Sequence, residues 1–289
     1  MRILLTGRNG QVGSALQSTL ASLGEVTAME RSQLDLADAA TIRRAVASAT
    51  PEVIVNAAAY TAVDQAESEE ALALRVNRDG PRVLAEEARR CGALLVHFST
   101  DYVFDGDKAA PYVESDAPNP LNAYGRGKLA GEEAIRASGC RHLIFRTSWV
   151  YSHQGKNFLL TMLRLAREGK PLRVVADQHG APTSSAMIAA AIPGAILAAA
   201  ADDALCGTYH LSAAGGTTWH GFARALLEAA GVAAEVAAIE SREFRTPARR
   251  PRNSMLDNAK ASSQLRIRLP AWDEGMREVM RRLPAQARR

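Results

Sequence analysis

The sequence predicts a doubly wound α/β fold, a parallel sheet with helices on both faces, followed by a smaller C-terminal lobe. Three observations carry this. Short apolar runs alternate with helical patterns across the first two thirds of the 289 residues. Those runs (RILLT, EVIVN, ALLVHFS, RHLIFRT) are continuously apolar rather than alternating, as strands covered on both faces are. The first of them leads through a glycine-rich turn, TGRNGQVG, into a helical pattern.

In order, residues 2–6 form the first strand. Residues 11–23 follow as a helix with Val12, Ala15, Leu16, Leu20 and Leu23 on one stripe. Residues 25–29 make the second strand, 41–49 a helix built on Ile42 and Val46, and 52–56 the third strand. One long helix is predicted over 69–90. Strand 93–99, helix 122–138 and strand 141–147 continue the rhythm. After about Trp149 it changes. Helices at 157–168 and 184–201 flank the turn-rich DQHGAPT, and another begins near Thr217, with Thr217 or Thr218 as its N-cap. A final helix covers 273–282. Residues 1–150 are expected to form the sheet domain and 151–289 mainly the second lobe, with some segments returning to the sheet.

Composition narrows the class. Apolar residues make up 47% and charged residues 23%, the balance of an ordinary globular protein. A net charge of +4 with only 5% aromatics gives no nucleic-acid groove. Cys91, Cys140 and Cys206 are far apart and odd in number, which excludes a disulfide framework and fits a reducing compartment. Arg2 and Arg8 break up the N-terminus, which therefore does not read as a signal peptide. Residues 186–201 are uncharged, but they are mostly alanine, are interrupted by Pro193 and are too short to span a bilayer. The expectation is a soluble, cytoplasmic protein with no membrane or nucleic-acid partner. It would be a monomer or a homodimer.

The turn after the first strand spaces Gly7, Gly10 and Gly13 as G-x-x-G-x-x-G. Backbone N–H groups in such a turn can approach a pyrophosphate, and the helix N-terminus adds positive potential. Gly10 would permit the close approach and Gly13 close packing of helix on strand. Strand, glycines and helix stand in the order of a dinucleotide site, which makes the sheet of the Rossmann type. Glu30 and Arg31 follow the second strand. An acid there favours the ribose of NADH, and an arginine favours the 2′-phosphate of NADPH, so both cofactors stay open. Asp35 and Leu36 come shortly after, where a short loop could meet the adenine.

Tyr124 and Lys128 stand four apart in YGRGK, on one face of the helix that begins near Asn122. A phenol is a poor acid–base catalyst at neutral pH, and a lysine one turn away is expected to lower its pKa. Ser99 and Thr100 stand at the end of the fourth strand, where a parallel sheet presents its ligands. The chain has five lysines against thirty arginines, so a lysine at this position is informative.

These residues resemble the extended short-chain dehydrogenase/reductases and, within them, the dTDP-4-dehydrorhamnose reductase family. The resemblance runs nearly end to end, through RILLTGRNGQVG, VNAAAYTAVDQAE, STDYVFDG, PLNAYGRGKLAGE, LIFRTSWVY, DQHGAPT and TPARRPRNS. It implies NAD(P)H-dependent reduction of the C4 keto group of a dTDP-sugar, with Tyr124 as proton donor, Lys128 on the nicotinamide ribose and Thr100 as third catalytic member. It further implies that Gly10, Gln11 and Val12 wrap the pyrophosphate. Ala59, Tyr60, Thr61 and Phe98 would line the cofactor, and Thr100, Asp101 and Trp149 would contact the sugar. Tyr60 and Phe98 carry less weight, because family members vary between aromatics and histidine there.

Tyr102 stands where the related dehydratases carry the glutamate of T-D-E. Elimination would lose a carboxylate that carbonyl reduction does not need. Arg242, Arg245, Arg249, Arg250 and Arg252, stiffened by Pro247 and Pro251, put five forked donors in one loop. The resemblance reads them as a clamp on the diphosphate, with Arg249 and Arg250 foremost. The six histidines show no ligand spacing, so no metal is expected. Two other functions fit less well. One is reduction or epimerisation of another nucleotide sugar. The other is a non-catalytic NADP-binding regulatory subunit, like the β subunit of methionine adenosyltransferase, which would not need the Thr100–Tyr124–Lys128 set.

Overall fold

Leu4 and Leu5 in β1 (Arg2–Thr6) are out of contact with solvent, and each packs into the core on a different face of one sheet. The computed structural model that shows this describes residues 1–283. Residues 284–289, the end of the expected second lobe, lie outside the described residues. From β1 the chain runs through α1 (Gln11–Leu20), β2 (Glu25–Met29), α2 (Ala39–Ala49) and β3 (Val53–Asn56). Then come α3 (Val63–Ala66), α4 (Glu70–Leu74), a π-helical turn at Arg75–Asp79 and α5 (Gly80–Cys91). They are followed by β4 (Leu94–Thr100), α6 (Ala123–Ser138) and β5 (His142–Thr147).

The second part holds β6 (Val150–Tyr151), α7 (Phe158–Arg167), β7 (Leu172–Val175), β8 (His179–Gly180), β9 (Thr183–Ser184) and α8 (Ser185–Ala201). It continues with β10 (Gly207–His210), β11 (Thr217–Thr218), α9 (Trp219–Ala229), β12 (Val236–Ile239), α10 (Ala259–Gln264) and α11 (Trp272–Arg282). The main sheet is parallel throughout, in the order β10-β5-β4-β3-β1-β2. Strand order reverses between β1 and β3, which opens a crevice at their C-terminal ends. Helices α1 and α8 cover one face, and α2 and α5 the other. Two later segments thus join the sheet layers, α8 against α1 and β10 against β5. The remainder packs its own core from Tyr151, Leu159, Leu163, Phe222, Leu226 and Val279.

Two elements depart from the pattern read in the sequence. The helix expected over 11–23 stops at Leu20, because the chain turns at Gly24, whose φ of +148° has no room for a side chain beside Met1. Leu23 still packs on the core, so the apolar stripe overran the helix. The single helix expected over 69–90 is broken by the π-helical turn. Pro81 supplies no N–H at the start of α5, and Gly80 packs against the Leu36 backbone. The helix expected over 184–201 is present as α8, which continues through Pro193. No helix among the described residues is long and apolar enough to cross a membrane.

Candidate active site

The crevice begins at the glycine turn. Gly7 has φ +70°, and a Cβ there would stand 2.8 Å from the Ala58 nitrogen. A Cβ on Gly13 would run into the Gly7 carbonyl. The turn is therefore a glycine cradle closed by Gly10 N–H donating to Gly7 O at 2.9 Å, and Gly10 as N-cap of α1 leaves its first N–H groups with no side-chain cap. A dinucleotide pyrophosphate fits such a donor set. The Gln11 side chain accepts from Asn157 at 3.1 Å, which ties the later lobe to the cradle, and Val12 packs on the core.

At the end of β2, Glu30 is exposed and accepts from Asn9 at 3.0 Å and Ser32 at 2.8 Å, which hold its carboxyl below the usual range. Arg31 pairs with Asp35 at 3.2 Å, and Asp35 also accepts from Ala37 N–H. The Leu36 side chain is buried in the core between α2 and α5, so only backbone remains for an adenine contact there. Ala59, Tyr60 and Thr61 lie in the loop after β3. Asn77, from the π-helical turn, holds that loop through both its amide atoms, 2.8 Å from Tyr60 N and 3.0 Å from Tyr60 O. The Tyr60 hydroxyl donates to Glu69.

Thr100 ends β4, and Tyr124 stands in the first turn of α6, whose N-cap Asn122 accepts from Gly125 N–H. The Thr100 hydroxyl lies beside the Tyr124 phenol and donates to Asp101 Oδ1 at 3.0 Å. Ser99, by contrast, points away and donates to the buried Glu132. Asp101 is 2% exposed and also meets the hydroxyls of Ser148, at 2.9 Å, and Ser254. Loss of water pushes its carboxyl up to about 6. This cage positions Asp101 behind Thr100 rather than out in the crevice.

Lys128 corrects one expectation. Its ammonium does not lower the Tyr124 pKa. Burial pushes the phenol up to about 12, while Lys128 Nζ turns to Phe98 O at 2.6 Å and His97 Nε2 at 3.1 Å. The i, i+4 spacing puts both groups on one face, but the lysine stem reaches inward to β4. A phenol held this high is protonated at neutral pH, as a proton donor must be. The Phe98 ring itself packs against Phe145 in the core, and only its carbonyl serves the site.

On the sugar side, Trp149 has φ +46°, stacks on Trp219 at 3.6 Å between centroids and donates to Ser254 Oγ at 3.1 Å. Gly180 lets the ring lie flat, since any Cβ there would enter it. In the arginine loop the two foremost residues separate. Arg249 is exposed, and its carbonyl accepts from Asn122 at 2.8 Å. Arg250 turns inward and is occupied by Asp64 (3.0 and 2.8 Å), Thr246 and the Ala248 carbonyl, with Tyr102 close by. The expected free clamp at Arg250 is instead a latch, because a half-buried guanidinium needs a fixed counter-charge. Asp177 and Gln178 both bond Ser241 and so hold the start of the same loop.

Sequence reasoning missed Asn56, Asp64, Asn77, His97, Ser148, Trp219 and Ser254. Asn56 and Asp64 lay within a quoted motif without a role, and the Gly80-Pro81 pair was the available signal for the turn that carries Asn77.

Comparisons with known proteins bear on this geometry. A family model described as the RmlD substrate binding domain matches residues 1–284. A dTDP-4-dehydrorhamnose reductase of Burkholderia thailandensis is 48% identical over 94% of this chain and 95% of its own. The Escherichia coli K12 protein of that name is 42% identical over 98% of each chain. Among solved structures, a dTDP-4-dehydrorhamnose reductase from Bacillus anthracis in complex with NADP superposes with a TM-score of 0.91. It is 36% identical and covers 96% of this chain and 98% of that one.

Proposed function

This chain belongs to the dTDP-4-dehydrorhamnose reductase family, and from that premise we propose that it reduces the C4 keto group of dTDP-4-dehydro-L-rhamnose to give dTDP-L-rhamnose. It is an NAD(P)H-dependent oxidoreductase, and the reaction is the last step in making that nucleotide sugar. The observation that carries the reading is the juxtaposition of Thr100 and Tyr124 at the C-terminal end of β4, on the same edge of the sheet as the glycine cradle.

When bound, the dihydronicotinamide supplies a hydride to C4. The chain's residues do the rest. Gly7, Gly10, Gln11, Val12 and Gly13 receive the pyrophosphate. Glu30, Arg31 and Asp35 with the Leu36 backbone meet the adenosine end, and Ala59, Tyr60, Thr61 and the Phe98 carbonyl border the nicotinamide end. Lys128 takes the nicotinamide ribose. Thr100 and Tyr124 grip the C4 oxygen, and Tyr124 gives its proton to that oxygen as negative charge develops there. Asp101 holds Thr100 in place. Trp149, backed by Trp219, walls the sugar, and Arg249 meets the diphosphate while Arg250 keeps the loop closed. Tyr102, where an eliminating enzyme needs a carboxylate, leaves simple reduction. The free thiols of Cys91, Cys140 and Cys206 support a reducing, cytoplasmic setting.

Tyr124→Phe tests the assignment. It is expected to lower kcat by about 10²- to 10⁴-fold and to leave NADPH binding, read by quenching of protein fluorescence, unchanged. A variant with unaltered kcat would remove Tyr124 as the acid.

A further inference from the structure

Between α6 and the sheet lies a buried charge with no place in the chemistry above. Glu132 is 0% exposed and stands about two turns along α6 from Tyr124. Its carboxylate receives hydrogen bonds from β4, from β5 and from α6 itself. Ser99 Oγ of β4 donates at 2.5 Å, Arg146 of β5 donates from Nε at 2.9 Å and from Nη2 at 2.7 Å, and Arg136 of α6 donates at 3.1 Å. Ser99 and Arg146 are register partners on adjacent strands, 4% and 3% exposed. Burial alone would raise the Glu132 pKa, but the bonds from Arg146, Ser99 and Arg136 outweigh it and hold the carboxyl below the usual range. The direction of each bond is fixed, because an ionised carboxylate only accepts and a guanidinium only donates.

Ser99 immediately precedes Thr100, and Glu132 follows Lys128 by one turn of α6. The catalytic helix is thus tied to the end of β4 by two neighbouring bonds, Lys128 Nζ to Phe98 O and Ser99 Oγ to Glu132. Elsewhere along α6 the approach is set by missing side chains. A Cβ on Gly125 would stand 2.2 Å from the Tyr102 carbonyl oxygen, and one on Gly131 2.2 Å from that of Asn77. Such contacts let the helix come close, but they do not hold it in one place along the strand. Stability does not account for the charged set either, since apolar side chains of similar volume are often as stable as a buried ion pair. What the charges add is geometry, because hydrogen bonds to both carboxylate oxygens weaken together when the helix slides.

We propose that Glu132 is a positioning residue for the reduction: through Ser99 and Arg146 it fixes where α6 sits on the ends of β4 and β5, and so where Tyr124 stands against Thr100. The inference rests on the acid role proposed for Tyr124. Glu132→Ala is a poor test, because it leaves Arg146 buried and unpaired and endangers the fold. Two other changes avoid that. Ser99→Ala removes the bond from β4 and leaves the ion pair whole. Glu132→Leu combined with Arg146→Met removes both charges together, and Arg136, at the helix surface, turns to water.

Turnover of dTDP-4-dehydro-L-rhamnose is measured per site, with sites counted by NADPH binding. Each variant is expected to lose about tenfold in kcat while the KM for the sugar and the affinity for NADPH stay within about twofold of the parent. An unchanged kcat in Ser99→Ala would overturn the proposal, whether or not the double variant folds. Ser99→Ala placed on Tyr124→Phe then separates positioning from general damage. If Ser99 and Glu132 act through Tyr124, the residual turnover falls by no more than about twofold, whereas a further loss of about tenfold would reduce the set to structural support and overturn the proposal. The two readings fail differently. Full turnover in Tyr124→Phe would overturn the acid assignment and this inference with it. A dead Tyr124→Phe beside an unaltered Ser99→Ala would overturn this inference alone.

Discussion

Replacing Asp101 by Asn is expected to stabilise the protein increasingly as pH rises. Asp101 is 2% exposed, and the three hydroxyls around it, from Thr100, Ser148 and Ser254, do not replace the water it has lost. Its carboxyl therefore ionises near 6 in the fold, against an ordinary value of 3.8. Below 3.8 the group is neutral in both states. As pH rises the unfolded chain ionises first, so the folded state loses stability, and the loss levels off above the folded value. The full cost is about 3 kcal/mol, of which about 1.4 kcal/mol falls between pH 5 and pH 8. An asparagine keeps an acceptor for the hydroxyls and does not titrate. Urea unfolding of both proteins at the two pH values measures the difference directly. The Asn variant is expected to gain about 1.4 kcal/mol on the parent between them. A gap that does not change with pH would refute the argument, because it would mean that Asp101 ionises as an ordinary surface carboxyl.

Three further outcomes follow from the same geometry. Arg249→Ala is expected to raise the KM for the dTDP-sugar about tenfold without moving Tm, whereas Arg250→Ala should lower Tm by freeing the loop from Asp64. An Arg249 variant that weakens cofactor and sugar equally would contradict the division. Glu132→Ala leaves the buried Arg146 guanidinium without the carboxylate that accepts from it at 2.9 and 2.7 Å, so chemical denaturation should show a loss of about 3–5 kcal/mol. A loss below 1 kcal/mol would mean that water reaches the pair. Glu30→Ala is expected to weaken NADH binding about tenfold while sparing NADPH, since only NADH has a free adenosine 2′-hydroxyl to donate to that carboxylate. Fluorescence titration with each cofactor decides it.

The sheet was legible in the sequence because strands buried on both faces carry continuous apolar runs, as VIV in VIVN and LLV in LLVHFST do, with polar residues gathered toward their C-terminal ends. The glycine turn was legible because positive φ at Gly7 and the tight approach of Gly13 to Gly7 exclude other residues. Partner choice was not legible. The four-residue spacing of Tyr124 and Lys128 gives a common face, but it does not tell that the lysine stem bends to Phe98 and His97 on another element. Asp64 and Arg250 stand 186 positions apart, and only the closed fold shows that one arginine of an adjacent pair is latched while the other is exposed. The apolar stripe through 69–90 hid the π-helical turn, since a one-residue bulge barely changes the stripe and yet turns Asn77 onto Tyr60.

The most direct test of the account is oxidation of NADPH, and separately of NADH, followed by nicotinamide absorbance with enzymatically prepared dTDP-4-dehydro-L-rhamnose, together with identification of the sugar product. The account predicts rapid loss of absorbance, one dTDP-L-rhamnose formed for each cofactor oxidised, and no such loss with Tyr124→Phe. Cofactor binding without turnover of this sugar would contradict it.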